Sequence, residues 1–372
     1  MAKRILITGG AGFVGSHLAK ALLERGNEVR VFDSFAEQVH HGDLPDSLGK
    51  DAELVVGDIA DLSAVQQATQ GVDTVIHLAA AVGVGQSMYE IARYVSTNTL
   101  GTANLLQALL ANENQIEKLV VASSMSIYGE GKYFCASCGE IAPGARTASQ
   151  LAAKEWELRC PHCSEALTPI PTDESKPLHC SSIYALSKRD QEEMCLLFGR
   201  TYRVPVVALR YFNIYGPGQS LSNPYTGVAA IFASRLLNRK PPLIFEDGKQ
   251  MRDFVSVHDV VSATMLAMEH DTANGCAINV ASGAPVSVRE IALGLSDALG
   301  LDIAPEITGK HRAGDIRHCF ADISAAKKLL GYEPTISFTR GVEELVEWLH
   351  SQESHDLVEL AARQLEHFGL TA

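Results

Sequence analysis

The chain has 372 residues, 46% hydrophobic and 20% charged, enough for a large α/β unit or two domains around a substantial core. Its 31 basic and 44 acidic residues leave a formal charge of −13, which argues against general binding to the phosphate backbone of nucleic acid. The apolar run at the start is short and ends in glycines, and no uncharged apolar stretch is long enough to cross a bilayer; we therefore expect a soluble, cytoplasmic protein with no membrane partner.

In chain order, Arg4–Thr8 reads as a strand and Val14–Arg25 as a helix. Between them lies Gly9-Gly10-Ala11-Gly12-Phe13-Val14-Gly15. Glycines at a strand-to-helix turn let the backbone approach a pyrophosphate, and the helix N-terminus stabilises its charge. Gly9, Gly12, Phe13, Val14 and Gly15 are thus candidate cofactor residues. A second strand, Glu28–Asp33, ends in a carboxylate followed by Ser34 and Phe35 rather than by arginine. An acid there accepts hydrogen bonds from an adenosine ribose and repels an added phosphate, so NAD is expected over NADP. The strand Leu54–Val56 leads to Asp58 and Ile59, placed to flank the adenine. A helix at Ser63–Gln70 precedes the strand Thr74–His77, after which Leu78, Ala79 and Ala80 leave room for a cofactor.

One long helix is expected over Ile91–Leu110, then a strand at Lys118–Ala122 followed by Ser123-Ser124-Met125-Ser126. After an interruption come a helix at Ser182–Tyr202 and a strand at Val206–Leu209. This alternation implies an α/β fold: a Rossmann-type, doubly wound parallel sheet that binds ligands at the carboxyl ends of its strands. The second half reads as helices at Asn223–Leu237, Val260–Glu269, Ser287–Leu299, Ser324–Leu330, Arg340–His350 and, amphipathic, Ser354–Phe368. The expected organisation is a dinucleotide-binding domain over 1–210, interrupted by an insertion at 131–172. A smaller, mainly substrate-binding domain follows over 211–372, with some segments returning to the sheet.

Tyr184 and Lys188 lie four apart, on one helical face. A free phenol ionises near pH 10, too high for a good base at neutrality, but a neighbouring ammonium and a cationic nicotinamide favour the phenolate. Such a tyrosine can exchange a proton with a substrate hydroxyl while a hydride moves to NAD. Ser124, at a strand end, can hydrogen-bond the same oxygen.

These residues, in this order, resemble the extended short-chain dehydrogenase/reductases of the NAD-dependent epimerase/dehydratase branch. The likeness spans nearly the whole chain outside 131–172. It implies that Asn98 supports the cofactor and active site. It also implies that Asn213, Arg252, Arg312 and Asp315 bind the substrate, with Asn213 and the arginines at its diphosphate or nucleoside and Ser124, Ser126 and Tyr184 at the sugar. Arginine suits this because its planar fork meets phosphate oxygens in pairs. Related 4,6-dehydratases carry an Asp-Glu pair directly after the catalytic Ser/Thr; Met125 and Ser126 stand there in this chain, so elimination is disfavoured. Epimerisation at C4 through a transient 4-keto sugar needs only Ser124, Tyr184 and a retained, tightly bound NAD. The resemblance also implies a homodimer built on the helices near 91–110 and 182–202.

The insertion carries Cys135, Cys138, Cys160 and Cys163 as C-x₂-C-x₂₁-C-x₂-C, the spacing of a closed, structural Zn²⁺ site. Its four basic residues, Lys132, Arg146, Lys154 and Arg159, balance Glu140, Glu155, Glu157 and Glu165, which suits a pocket flap or an assembly element better than nucleic-acid binding. An epimerase with such a ribbon, together with the run from Gly216 to Gly227, is most similar to dTDP-L-rhamnose 4-epimerases. This implies conversion of dTDP-L-rhamnose to dTDP-6-deoxy-L-talose. UDP-glucose/UDP-galactose epimerisation, a nucleotide-sugar reductase or dehydrogenase, and a non-enzymatic NAD-sensing regulator are the alternatives.

Overall fold

A computed structural model describes residues 2–40, 48, 51–112 and 116–371. Its centre is a seven-stranded sheet, every neighbouring pair parallel, in the spatial order 277–280, 206–211, 118–124, 74–77, 4–8, 28–33 and 53–56. The order reverses beside Arg4–Thr8, which lies between Thr74–His77 and Glu28–Asp33. Such a switch point opens a crevice at the carboxyl ends of the strands. Strands near the middle are apolar on both sides, as burial under two helical layers requires; all seven residues of Lys118–Ser124 are buried. One core, with Ile5, Ile7, Leu18 and Leu22, lies on one face, and another, with Leu6, Val75, Leu105 and Phe198, on the other.

Several expected boundaries move for local reasons. The expected helix over Ile91–Leu110 is three segments: Ile91–Tyr94, a π-helical stretch at Val95–Leu100, and Gly101–Ala111. The wider turn carries Asn98, whose amide bonds both the N–H of Ala81 (2.7 Å) and its carbonyl (3.0 Å). The expected helix at Asn223–Leu237 begins only at Val228; the Asn223 side chain accepts from the Tyr225 N–H at 3.1 Å and folds the preceding residues into a turn. The helix expected at Arg340–His350 starts earlier, as Phe338–Leu349, and the last one shortens to Val358–His367. A third core, with Phe232, Ile291 and Leu345, gathers the C-terminal helices.

The insertion forms a three-stranded antiparallel sheet of Gly139–Ile141, Lys132–Cys135 and Thr168–Ile170. It has its own small core of Tyr133, Cys135, Ile141, Leu158, Cys160 and Leu167.

Candidate active site

A cavity of about 1540 Å³ runs along the carboxyl ends of the sheet strands. At one end lies the glycine turn. Gly9 has φ +68°, and a Cβ there would sit 2.7 Å from the Ala79 nitrogen. A Cβ on Gly15 would meet the Gly9 carbonyl at 2.5 Å, so these two glycines permit the close packing of turn, helix and neighbouring strand. Gly12 instead borders the cavity and caps helix Phe13–Glu24 with no side-chain acceptor for its first N–H groups, the arrangement that suits an anion. Asp33 holds this turn: its carboxylate accepts from the Ala11 N–H and the Phe35 N–H, each at 3.0 Å. Phe13, Val14, Asp33, Asp58, Ile59, Leu78, Ala79 and Ala80 all border the same cavity.

Further along stand Ser124 and Tyr184. Ser124 ends its strand, and its hydroxyl accepts from the Ser126 N–H (3.2 Å) and the Ser126 hydroxyl (2.9 Å). Tyr184 begins helix Ile183–Tyr202, capped by Ser182, whose hydroxyl accepts from the Ala185 N–H at 3.1 Å. Burial pushes the Tyr184 phenol upward, and the neighbouring Ser124 hydroxyl pulls it back. One turn on, burial lowers the Lys188 ammonium from 10.5 to about 7. Lys188 Nζ donates to Gln191 Oε1 at 2.8 Å, and Gln191 Nε2 reaches Thr102 Oγ1 (2.9 Å) and His77 Nε2 (3.1 Å). His77 is driven to about 3 by burial and by Lys188, so its ring is neutral.

Asn98, expected among the cofactor residues, does not border the cavity. It is fully buried behind it, joining Ala81 to Ser187 Oγ (2.9 Å), and therefore acts as a brace rather than a contact. Asn213, Arg252, Arg312 and Asp315 do border the cavity. Arg252 donates to the carbonyls of Met251, Ile316 and Arg317 at 2.6–2.9 Å, and Arg312 pairs with Asp315 at 2.9 Å over the Phe245 ring.

Five buried side-chain oxygens without a partner lie on this wall: Ser123 Oγ, Asn213 Oδ1, Gln219 Oε1, Ser220 Oγ and Gln250 Oε1. Unpaired buried polar atoms are uncommon, and their gathering here points to a polar ligand.

The profile of the NAD dependent epimerase/dehydratase family matches residues 5–151 and 161–281. The chain belongs to this family. It is 33% identical to the dTDP-L-rhamnose 4-epimerase of Burkholderia thailandensis over 93% of this chain and 95% of that one. Its fold superposes with a TM-score of 0.77 on the UDP-N-acetylglucosamine 4-epimerase of Methanobrevibacter ruminantium solved with UDP-N-acetylmuramic acid (30% identity; 95% of this chain, 99% of that one). The TM-score is 0.74 against the NAD complex of Thermus thermophilus UDP-glucose 4-epimerase (29% identity; 94% and 100%).

Within this epimerase-family fold, the insertion gathers Cys135, Cys138, Cys160 and Cys163 so that their four sulfurs lie within 4.8 Å of one another. A tetrahedral ion with bonds of about 2.3 Å bridges such a group. The donor set therefore fits Zn²⁺, and four thiolates leave no open position for catalysis.

Two features of the site had little sequence signal. Gln250 carried no signal, and Gln219 and Ser220 were marked only as part of the run from Gly216 to Gly227, with nothing to show that their side-chain oxygens would be buried and unpaired. The C-terminal helix closes over the cavity, bringing Val358, Ala361 and Leu365 to its wall. Phe368 stacks on Tyr89 at 4.7 Å, and the Ala313 N–H donates to the Leu370 carbonyl at 2.8 Å. Amphipathicity marked this helix, but nothing local named the surface it covers. Among the described residues, no helix is long and apolar enough to cross a membrane.

Proposed function

We propose that the protein is an NAD-dependent nucleotide-sugar 4-epimerase, acting on dTDP-L-rhamnose to form dTDP-6-deoxy-L-talose. The chain is an enzyme of the isomerase class. The observation that carries the reading is that Tyr184, Ser124 and Lys188 border the same cavity as the glycine turn. NAD, when bound, supplies a hydride acceptor that becomes a hydride donor. Gly9, Gly12, Phe13, Val14 and Gly15 would hold its pyrophosphate, Asp33 its ribose and Asp58 and Ile59 its adenine, with Lys188 also beside it. Tyr184 takes the proton from the sugar C4 hydroxyl and later returns it, and Ser124 hydrogen-bonds the same oxygen. The Lys188 ammonium favours the phenolate through space. Ser126 contacts the sugar, while Asn213, Arg252, Arg312 and Asp315 hold the nucleoside diphosphate.

The dTDP-L-rhamnose assignment draws on the Burkholderia relative and on the four-cysteine ribbon, which we assign to one structural Zn²⁺. A homodimer in the cytoplasm is part of the same reading. Ile91, Val95, Leu186 and Leu197 are exposed on the helices near 91–111 and 183–202, an apolar face suited to a second copy.

The test is a panel of dTDP- and UDP-sugars without added cofactor, with products resolved by proton NMR. We expect epimerisation of dTDP-L-rhamnose, and a loss of turnover of about 10²–10⁴-fold in Tyr184→Phe with NAD still bound. Turnover of UDP-glucose alone would reassign the substrate; near-normal activity of Tyr184→Phe would remove Tyr184 from the chemistry.

A further inference from the structure

The insertion does not stand clear of the cavity. Arg146 Nη2 donates to the Asp315 carbonyl at 3.2 Å. The same guanidinium pairs with Glu246 at 2.8 Å and approaches Glu130 at 3.5 Å, all three side chains being only 2–3% exposed. Also from the insertion, Glu157 accepts from Arg317 Nε and Nη2 (3.1 and 2.5 Å) and contacts His318 at 3.0 Å. Arg317 is fully buried and bonds Glu246 and Asp247 as well. Two guanidinium groups and four carboxylates thus join three separate parts of the chain.

What they join is the wall segment that carries Arg312 and Asp315. On one side Arg146 and Glu157 hold Asp315 and Arg317; on the other, Arg252 holds the carbonyls of Ile316 and Arg317. Gly314 lies between them at φ +82°, and a Cβ there would sit 2.8 Å from the Ser181 carbonyl. From the insertion side Glu130 accepts from the N–H groups of Arg317 and His318, and the Trp156 ring meets that of His311. A second cavity of about 380 Å³, bordered by Arg146, Leu151, Arg312 and Asp315, separates the segment from the insertion. Across this gap the links at Asp315 and Arg317 are polar, from Arg146 and Glu157.

Charged Arg146 and Glu157 add nothing to the ribbon's apolar core, and inside the insertion Arg146 donates to the Trp156 carbonyl alone, at 3.4 Å. Nor are buried ion pairs an efficient route to stability, because desolvation offsets most of the Coulombic gain. What they supply here is a fixed register between two segments.

We propose that Arg146 and Glu157 are positioning residues for substrate binding. Acting through Asp315 and Arg317, they hold the Arg312–Asp315 segment where its guanidinium meets the substrate diphosphate. This rests on reading the cavity as a nucleotide-sugar site. It gives the insertion a role at the active site distinct from both a moving flap and an assembly surface.

The experiment compares the NAD- and zinc-loaded protein with its Arg146→Met, Arg146→Lys and Glu157→Gln variants. Calorimetry measures binding of dTDP and UDP, and steady-state kinetics separates KM from kcat on the sugar the unaltered enzyme turns over. For Arg146→Met we expect nucleoside diphosphate affinity and KM to worsen about tenfold, with kcat within about threefold, since a displaced anchor weakens binding before it alters chemistry. NAD and zinc content stay at the parent level, and Arg146→Lys recovers part of the loss. Should Arg146→Met fail to fold, Glu157→Gln, which keeps shape and hydrogen-bonding capacity, carries the same expectation. Unchanged affinity and KM, or a fall in kcat at constant KM, overturns the proposal. An unaltered protein that binds neither dTDP nor UDP overturns the nucleotide-sugar reading itself, and the proposal with it.

Discussion

Two buried charged regions flank the cavity, and they are built in opposite ways. Lys188 bonds a neutral amide, Gln191, which is linked in turn to a neutral His77 and to Thr102. No carboxylate is bonded to its ammonium, and burial pulls it down to about 7. Across the insertion boundary, Arg146 and Arg317 are surrounded by Glu130, Glu157, Glu246 and Asp247. There the carboxylate of Glu157, hydrogen-bonded by His318 and Arg317 against the cost of burial, falls to about 2. The contrast separates two uses of buried charge. The guanidinium groups that join chain segments are matched by anions, whereas the Lys188 ammonium beside the cavity is bonded to an amide alone and loses its proton more readily.

Substitutions on the two sides should therefore change stability in opposite directions. The largest effect is expected for Glu246→Gln, which removes a carboxylate shared by Arg146 and Arg317 and leaves them under-compensated. Denaturant unfolding should show a loss on the order of 3 kcal/mol; a loss within experimental error would mean that water neutralises the cluster.

Lys188→Met should act the other way in the cofactor-free protein. The folded-state value of about 7 lies below the ordinary 10.5, so between these pH values the unfolded chain holds the extra proton. Stability from this group therefore rises as pH climbs through that window. The methionine variant should melt above the unaltered protein at pH 7, with an advantage that shrinks towards pH 10.5, although its turnover falls. A lower melting temperature at pH 7 would show that Lys188 is compensated after all.

The smallest expected signal belongs to His77. With its ring held neutral to about 3, its imidazole resonances should stay flat between pH 5 and 8. Titration near 6.5 would break the neutral chain behind Lys188.

Much of the site was legible because it is local. The glycines at 9, 12 and 15, the carboxylate at the end of the second strand, Ser124 at a strand end and the four-residue step from Tyr184 to Lys188 are short-range patterns. So are the two Cys-x-x-Cys pairs. Asn98 was marked by resemblance, but its part as a brace depends on a π-helical turn that apolar periodicity does not reveal. Arg252 and Arg312 were marked in the same way, while their anchorage to the carbonyls of 316 and 317 and to Asp315 became visible only in the fold.

The sequence by itself determined the alternating strands and helices, the glycine turn, the spacing of Tyr184 and Lys188 and the metal-type cysteines, because hydrophobic period and residue spacing act over a few residues. Tertiary structure alone decided that Arg146 touches Asp315 and Glu157 touches Arg317, partners 169 and 160 positions apart. It also decided that the last helix roofs the cavity, with Leu365 against Gly85. Such pairings carry no local signature, since each half is an ordinary charged or apolar surface residue until chain packing removes water from between them.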